Sequence, residues 1–285
     1  PTISLREADR DYAVSFALPS DAQGIHYIMG RQSCDTRKLE DGEIDSGNVF
    51  FGGHEALVVF ENVFVPWERV FMCREHTFAG QLVEIFAGYH RQSYACKVGV
   101  GDVLIGASQV VAEFNRADHA SHVKDKLVEM NHLNETLYCG CIACASEGHK
   151  EPSGTFSVNT LLANIHKHNV TRFPYEISRL AQDIAGGLMV TLPSEKDFNS
   201  PEVGAWLEKY YRTHPEVPTE HRSRILRLIE NLTLGTAAVG YLTESMHGAG
   251  SPQAQRIMIA RQVDMDQKKR AARSLCGIET EADGD

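Results

Sequence analysis

Between residues 90 and 97 the chain reads His90-Arg91-Gln92-Ser93-Tyr94-Ala95-Cys96-Lys97. An imidazole, a thiol, a phenol, an ammonium and a guanidinium share one short segment. Imidazole and thiolate are ligands for iron and zinc, and imidazole, phenol and ammonium carry protons. The flanks, Phe86-Ala87-Gly88-Tyr89 and Val98-Gly99-Val100-Gly101, have the small-residue texture of a tightly packed helix. A core helix needs no such concentration of reactive groups, so chemistry is expected here. Two ligands cannot hold a metal alone, since Fe–S clusters usually take four. On the residues alone, a His90 satisfied in the core and a packed Cys96 is the simpler reading.

A second concentration is Thr243-Glu244-Ser245-Met246-His247-Gly248-Ala249-Gly250-Ser251-Pro252. A glycine-bearing loop leads into a helix N-terminus, where free N–H groups and the macrodipole favour anions. Glu244 stands just before it, placed for proton transfer if burial raises its pKa towards neutrality. A plain helix–loop–helix corner is an equal alternative. Gly186-Gly187 falls in an otherwise good helix, where each glycine costs roughly 1 kcal/mol against alanine. Either a neighbouring backbone or ligand comes close there, or packing alone explains the pair. Glu55 follows Gly52-Gly53-His54 just before a strand and, taken alone, is an ordinary loop carboxylate. Cys139-Gly140-Cys141-Ile142-Ala143-Cys144 has the look of a metal motif but lies mid-helix. Residues two apart on a helix point about 200° from each other and cannot share a metal. These cysteines are therefore expected to be structural.

The elements that position these groups change period once. Up to about residue 75 the chain reads as β. Tyr12, Val14, Phe16 and Leu18 alternate and stop at Pro19-Ser20-Asp21. Two short apolar runs, Leu57–Phe60 and Val63–Val65, follow a polar, loop-rich segment from Arg31 to Gly53. From about 76 onward the period is helical. One long helix or two end to end are expected over 76–116, then helices over 120–147, 157–170, 174–191, 201–212 and 219–243. A last one should begin at Ser251-Pro252, an N-cap followed by proline, and run to about 275.

The chain of 285 residues is 42% hydrophobic and 23% charged, with a net charge of −10. That charge, without a Lys/Arg stripe, argues against nucleic-acid binding. The apolar runs look shorter than the roughly 20 residues that span a bilayer. Seven cysteines at irregular spacing suit a reducing compartment better than a disulfide scaffold. The expectation is a cytoplasmic protein without membrane contact. Removal of an initiator methionine would explain the start at Pro1, and a segment missing upstream would explain both that start and the immediate run into strand-like sequence.

Six segments, Gly30–Lys38, Phe86–Tyr94, Ala120–Lys126, His132–Tyr138, Thr171–Ile177 and Thr243–Gln255, closely resemble the 4-hydroxybutyryl-CoA dehydratase family. That family is related to flavin-dependent 4-hydroxyphenylacetate 3-monooxygenases, and Asn62-Val63-Phe64-Val65-Pro66 is typical of the wider group. The resemblance covers nearly the whole chain. It implies an α+β, acyl-CoA dehydrogenase-like fold, with residues 1–75 as part of a middle β domain and 76–285 as a C-terminal antiparallel helical bundle. The family's N-terminal helical domain has no counterpart in these residues.

The resemblance further implies FAD and a [4Fe–4S] cluster held by three cysteines and a histidine. His90 and Cys96 match two of the four ligands, and the other two lie in the N-terminal helical domain. Glu55, Tyr94, Lys97 and Glu244 fall on positions around the substrate. Arg91, Gly186 and Gly187 are weaker matches to flavin contacts. Dehydration of 4-hydroxybutyryl-CoA to crotonyl-CoA must remove an unactivated C3 proton. Taking the C2 proton first and one electron by the flavin would acidify it, with the cluster iron as Lewis acid on the leaving hydroxyl. Glu244 is the expected base at C2, and His90 at C3 as well as iron ligand. The family also isomerises vinylacetyl-CoA and implies a homotetramer, or assembly with a chain supplying the N-terminal domain. A cluster-free flavoprotein, either an acyl-CoA isomerase or a monooxygenase-like relative, and a non-catalytic subunit completing a partner's site are the alternatives.

The spacing departs from the family pattern, which has one more residue between the histidine and the cysteine. Seven steps on a helix return to one face, whereas six land about 120° away. A local distortion could absorb this; otherwise the residue is lost from the record, or the cluster is altered or absent.

Overall fold

The computed structural model describes residues 5–29 and 56–278; Cys34, Glu55 and the whole Arg31–Gly53 segment lie outside them. Strand β1 (Val14–Phe16) pairs antiparallel with β4 (Val70–Cys73), and β2 (Ile25–Met29) with β3 (Ala56–Phe60). The alternating run is shorter than expected. Tyr12 belongs to a 3₁₀ turn over Glu7–Tyr12, and the pairing slips between Ser15 and Phe16. The Val63–Val65 run is not a strand. Pro66, which lacks an N–H, opens a 3₁₀ turn over Trp67–Arg69, and pairing resumes only at Val70.

The helices begin with α1 (Ala79–Ser93) and α2 (Cys96–Phe114), end to end and separated by Tyr94-Ala95. Next come α3 (Ser121–Ser146), the hairpin β5 (His149–Lys150) and β6 (Phe156–Ser157), α4 (Thr160–Val170) and α5 (Phe173–Ala185). Two short helices, α6 (Glu195–Phe198) and α7 (Gly204–Tyr210), lead to α8 (Thr219–Thr233). The expected helix over 219–243 is broken. At Leu234 and Gly235 both N–H groups turn back to the Glu230 carbonyl, and α9 (Thr236–Ala238) then passes into a π-helical turn over Val239–Thr243. Helix α10 (Glu244–His247) follows. The final helix is also two, α11 (Pro252–Gln262) and α12 (Met265–Leu275), with Asp264 capping the second through the Gln267 N–H.

Helix α2 is the hub, packing against α3, α5 and α8, while α4 packs against α1, α3 and α11. Burial follows the helical repeat. Leu104, Ser108 and Val111 on α2, Ile177, Leu180, Ala181 and Ile184 on α5, and Leu226 and Ile229 on α8 face one core. Each fully buried Leu or Ile contributes roughly 1.5–3 kcal/mol. On α3 the buried residues Val123, Met130, Leu137 and Cys144 recur every seven positions.

By length and composition, one described stretch, His76–Phe114, is apolar enough to cross a membrane, with a mean hydropathy of 1.4 in its most apolar window. This corrects the expectation that no run approaches that limit. The stretch is broken at Tyr94-Ala95, and its second half is the hub of the bundle.

Candidate functional site

The break between α1 and α2 builds the site. Three N–H groups at the joint, of Ala95, Lys97 and Val98, donate three residues back, to Gln92, Tyr94 and Ala95 (3.2, 3.0 and 2.9 Å). The joint is therefore a tight 3₁₀ turn, with three residues per turn in place of 3.6. Each such step adds about 20° of rotation, so the turn carries Cys96 back towards the face of His90. A local distortion of the kind that could absorb the shortened spacing is present.

Overwinding also buries Tyr94, which is 3% exposed among Leu137, Val170 and Ala249. Its hydroxyl donates to Glu244 Oε1 at 2.6 Å, and Lys97 Nζ donates to Glu244 Oε2 at 2.7 Å and to the Gly240 carbonyl at 2.8 Å. Both carboxylate oxygens thus accept short, charge-assisted bonds. The π turn before Glu244 accounts for the third contact. The wider ring alters the carbonyl ladder, and Gly240 O receives Lys97 and the Ser245 hydroxyl.

Burial pushes Glu244 up, but bonds from Lys97 and Tyr94 and the charges of Lys97 and Lys167 outweigh it, so its pKa is lowered. This corrects the expectation of a carboxyl raised towards neutrality. Glu244 is ionised and able to accept a proton.

His90 lies beside Tyr94, with ring centroids 5.5 Å apart, and against Phe86 at 5.3 Å. Its Nδ1 is buried with no hydrogen-bond partner among the described residues. The Cys96 thiol is exposed and, with Lys97, Gly240 and Tyr241, lines a cleft of about 600 Å³. Val100, Val103, Leu228 and Leu232 make its apolar wall. Arg91 is buried; its Nε donates to Ala249 O (3.0 Å) and one terminal nitrogen to Asn164 Oδ1 (2.6 Å), tying α1 to the Gly248–Gly250 loop and to α4. Of the expected residues, Glu244, Tyr94 and Lys97 meet directly, and His90, Arg91 and Cys96 surround them. Glu55 is outside the described residues.

Gly186 and Gly187 are not mid-helix as expected. Helix α5 ends at Ala185, and Gly186 is its cap at φ +76°, the left-handed region that favours glycine. A Cβ on either would meet nothing within 4 Å, so no neighbouring backbone requires them. On α3, Cys139 is exposed, Cys141 accepts a bond from Gln92 (3.1 Å), and burial first, with the neighbouring Cys141, raises the Cys144 thiol to about 11. Among the described residues no three metal-binding side chains converge.

Sequence reasoning missed Lys167. It is 0% exposed on α4, donates to the Ser245 and Met246 carbonyls, and lies 4.4 Å from the centre of the Tyr94 ring. A lysine on the apolar stripe Ala163–Lys167–Val170 was the available signal. Next to it, His166 is buried against Gly140, and desolvation, with Lys167 adding to it, lowers its pKa to about 4. The folded state therefore resists protonation that the unfolded chain accepts near 6.5. Stability should be full above pH 6.5 and fall by about 3 kcal/mol as pH drops to 4. Urea midpoints across this window should show the loss, and H166Q should flatten it; an equal slope in the variant would refute the assignment.

A half-buried carboxylate and a buried phenol stand beside an apolar cleft in a helical chain with few strands, consistent with an acyl-CoA dehydrogenase-like fold. The chain belongs to the 4-hydroxyphenylacetate 3-hydroxylase family, matching its C-terminal model over residues 79–277 and its N-terminal model over 1–72. It is 62% identical to the 4-hydroxybutyryl-CoA dehydratase/vinylacetyl-CoA-Delta-isomerase of Clostridium aminobutyricum, over 98% of this chain and 59% of that one. The structure of an oxygen-tolerant archaeal 4-hydroxybutyryl-CoA dehydratase from N. maritimus superposes with a TM-score of 0.96 at 59% identity, covering 99% of this chain and 56% of the other.

The oxygenase component of 4-hydroxyphenylacetate 3-monooxygenase, in complex with FAD and 4-hydroxyphenylacetate, shares the fold at 23% identity (TM-score 0.83; 96% of this chain, 57% of that one). Butyryl-CoA dehydrogenase from Megasphaera elsdenii shares it at 14% (TM-score 0.51; 91% and 54%). The chain thus spans little more than half the length of these relatives.

Proposed function

We propose that the chain is the larger part of a hydro-lyase that converts 4-hydroxybutyryl-CoA to crotonyl-CoA and shifts the double bond of vinylacetyl-CoA. The observation that carries this reading is the Tyr94–Glu244–Lys97 contact beside the apolar cleft. An ionised carboxylate fixed by two donors can take the C2 proton of an acyl thioester, and the apolar wall suits a short acyl chain. Identity to the Clostridium relative supports the substrate class.

Two cofactors follow from the same reading. His90, with an unpartnered buried ring nitrogen, and Cys96, with an exposed thiol on the cleft, fit two positions of a cluster ligand set. We read the remaining two, and the domain that bears them, as supplied from outside these residues. FAD is supported by the FAD-bound relative, and the open space beside Gly186 and Gly187 leaves room for a ligand. When bound, the flavin would supply one-electron chemistry and the cluster a Lewis acid for the leaving hydroxyl. Within this chain, Glu244 takes the C2 proton, Tyr94 and Lys97 hold its carboxylate, and His90 is our choice for the proton at C3. Residues 1–75 and 76–285 are proposed as separate domains, in a cytoplasmic homo-oligomer.

The test is conversion of 4-hydroxybutyryl-CoA by the assembled protein, with iron, sulfide and flavin analysis. Activity should vanish in H90A and C96A, together with iron. Flavin without iron would replace this reading with a cluster-free isomerase, and turnover surviving in H90A would end it.

A further inference from the structure

Lys167 has no part in the reaction as drawn so far, yet it lies over the ring of one partner of the central hydrogen bond, Tyr94, and its charge bears on the other, Glu244. Helix α10 is one turn long, and its Gly248 end returns only one N–H, to the Glu244 carbonyl. The Ser245 and Met246 carbonyls that follow would otherwise be left unsatisfied at a helix C-terminus, and the Lys167 ammonium takes both. The same ammonium lies over the Tyr94 ring at 4.4 Å, a cation–π contact in a desolvated place. Among the described residues it makes no salt bridge. Burial, opposed by Glu244 and reinforced by Arg91 and Lys97, lowers its pKa to about 8, so near neutral pH it is largely charged.

A fully buried lysine held only by carbonyls and a ring is rare without a purpose. The groups that bear on Glu244 are Tyr94 and Lys97 from the α1–α2 joint and Lys167 from α4, with Arg91 of α1 acting on Lys167. Two cations therefore bear on one carboxylate, with a third, Arg91, acting on Lys167 behind it. When Glu244 takes a proton from C2, the C–H electron pair passes into the thioester enolate, and the positive charges remain to offset it.

We propose that Lys167 is a positioning residue for the proton step at Glu244. It clamps the short helix that carries the base, holds the phenol that bonds it, and keeps that base in its ionised form. The kinetic part of this inference rests on the dehydratase reading; the electrostatic part does not.

The test uses K167M, which keeps the reach and drops the charge, and K167Q, which retains a donor for the two carbonyls and serves where K167M does not fold. On the assembled holoenzyme, kcat should fall at least about tenfold with KM within about threefold, and the acid limb of the pH profile should rise by about one unit. Independently of turnover, the Glu244 carboxylate is followed by infrared difference spectra, E244Q subtracted from wild type and K167M/E244Q from K167M. Its titration should move up in the Lys167 variant. A shifted titration in a protein that dehydrates nothing would sink the dehydratase reading and leave the inference standing. An unmoved titration with an unmoved acid limb would overturn the inference, whatever happens to kcat or to stability.

Discussion

G248A is expected to lower kcat at least about 100-fold while leaving the fold intact, because a displacement of about 1 Å in a catalytic pair is enough for such a loss. A Cβ at position 248 would lie 1.7 Å from the Tyr94 hydroxyl oxygen and 2.9 Å from Glu244 Oε1. Neither neighbour can step aside easily. Tyr94 is packed against Leu137 and Val170, and Glu244 is held by Lys97. The backbone at Gly248 is in an ordinary extended conformation, φ −60° and ψ 145°, so the glycine is needed for space and not for its dihedral freedom. The bundle core of α2, α3, α5 and α8 is formed by other residues, so the melting temperature should shift by only a few degrees. Turnover and thermal melting measured together decide it: near-normal turnover would show that the Tyr94–Glu244 bond is dispensable.

E244Q should lower dehydration and C2 hydrogen exchange by roughly 10²–10⁴-fold. The amide keeps the size of the carboxyl group and can still accept from Tyr94, but it cannot take a proton at neutral pH. The pH dependence carries a sign. Glu244 acts as a carboxylate and its pKa is lowered, so activity governed by it should persist on the acid side and fail only below the ordinary carboxylate range. Exchange of C2 hydrogen from butyryl-CoA in D₂O, followed by NMR, separates this step from loss of hydroxide. Exchange at the wild-type rate in E244Q would assign the base elsewhere.

Much of this arrangement was legible before any coordinates. The period change near residue 76, the helices over Ser121–Ser146 and Thr160–Val170, and the meeting of the Tyr94 and Glu244 segments all follow from pattern or resemblance. The rest depended on contacts between distant parts of the chain. The ionisation of Glu244 is not legible in sequence: burial alone raises a carboxyl, and only the fold reveals that the charges of Lys97 and Lys167 bear on it. Gly186 and Gly187 looked like interior glycines because residues 188–190 continue the helical pattern, yet they form a 3₁₀ turn. The π turn at Val239–Thr243 leaves only a weak local sign, since Gly240 among Val, Tyr and Thr lowers helix propensity without specifying a π turn. Lys167 was hidden for a related reason: a lysine reads as surface until its neighbours on the stripe are seen to be buried.

The joint at Tyr94-Ala95 has a wider meaning for how such a protein changes over time. A rigid rod transmits every insertion or deletion as a rotation of all that follows. A rod with one segment of adjustable pitch does not. The groups before the joint answer to α4 and the Gly248–Gly250 loop, and those after it answer to the bundle. A change in length at the joint can therefore be taken up in part where it occurs, and the rotation passed on to the bundle is smaller than an unbroken helix would impose.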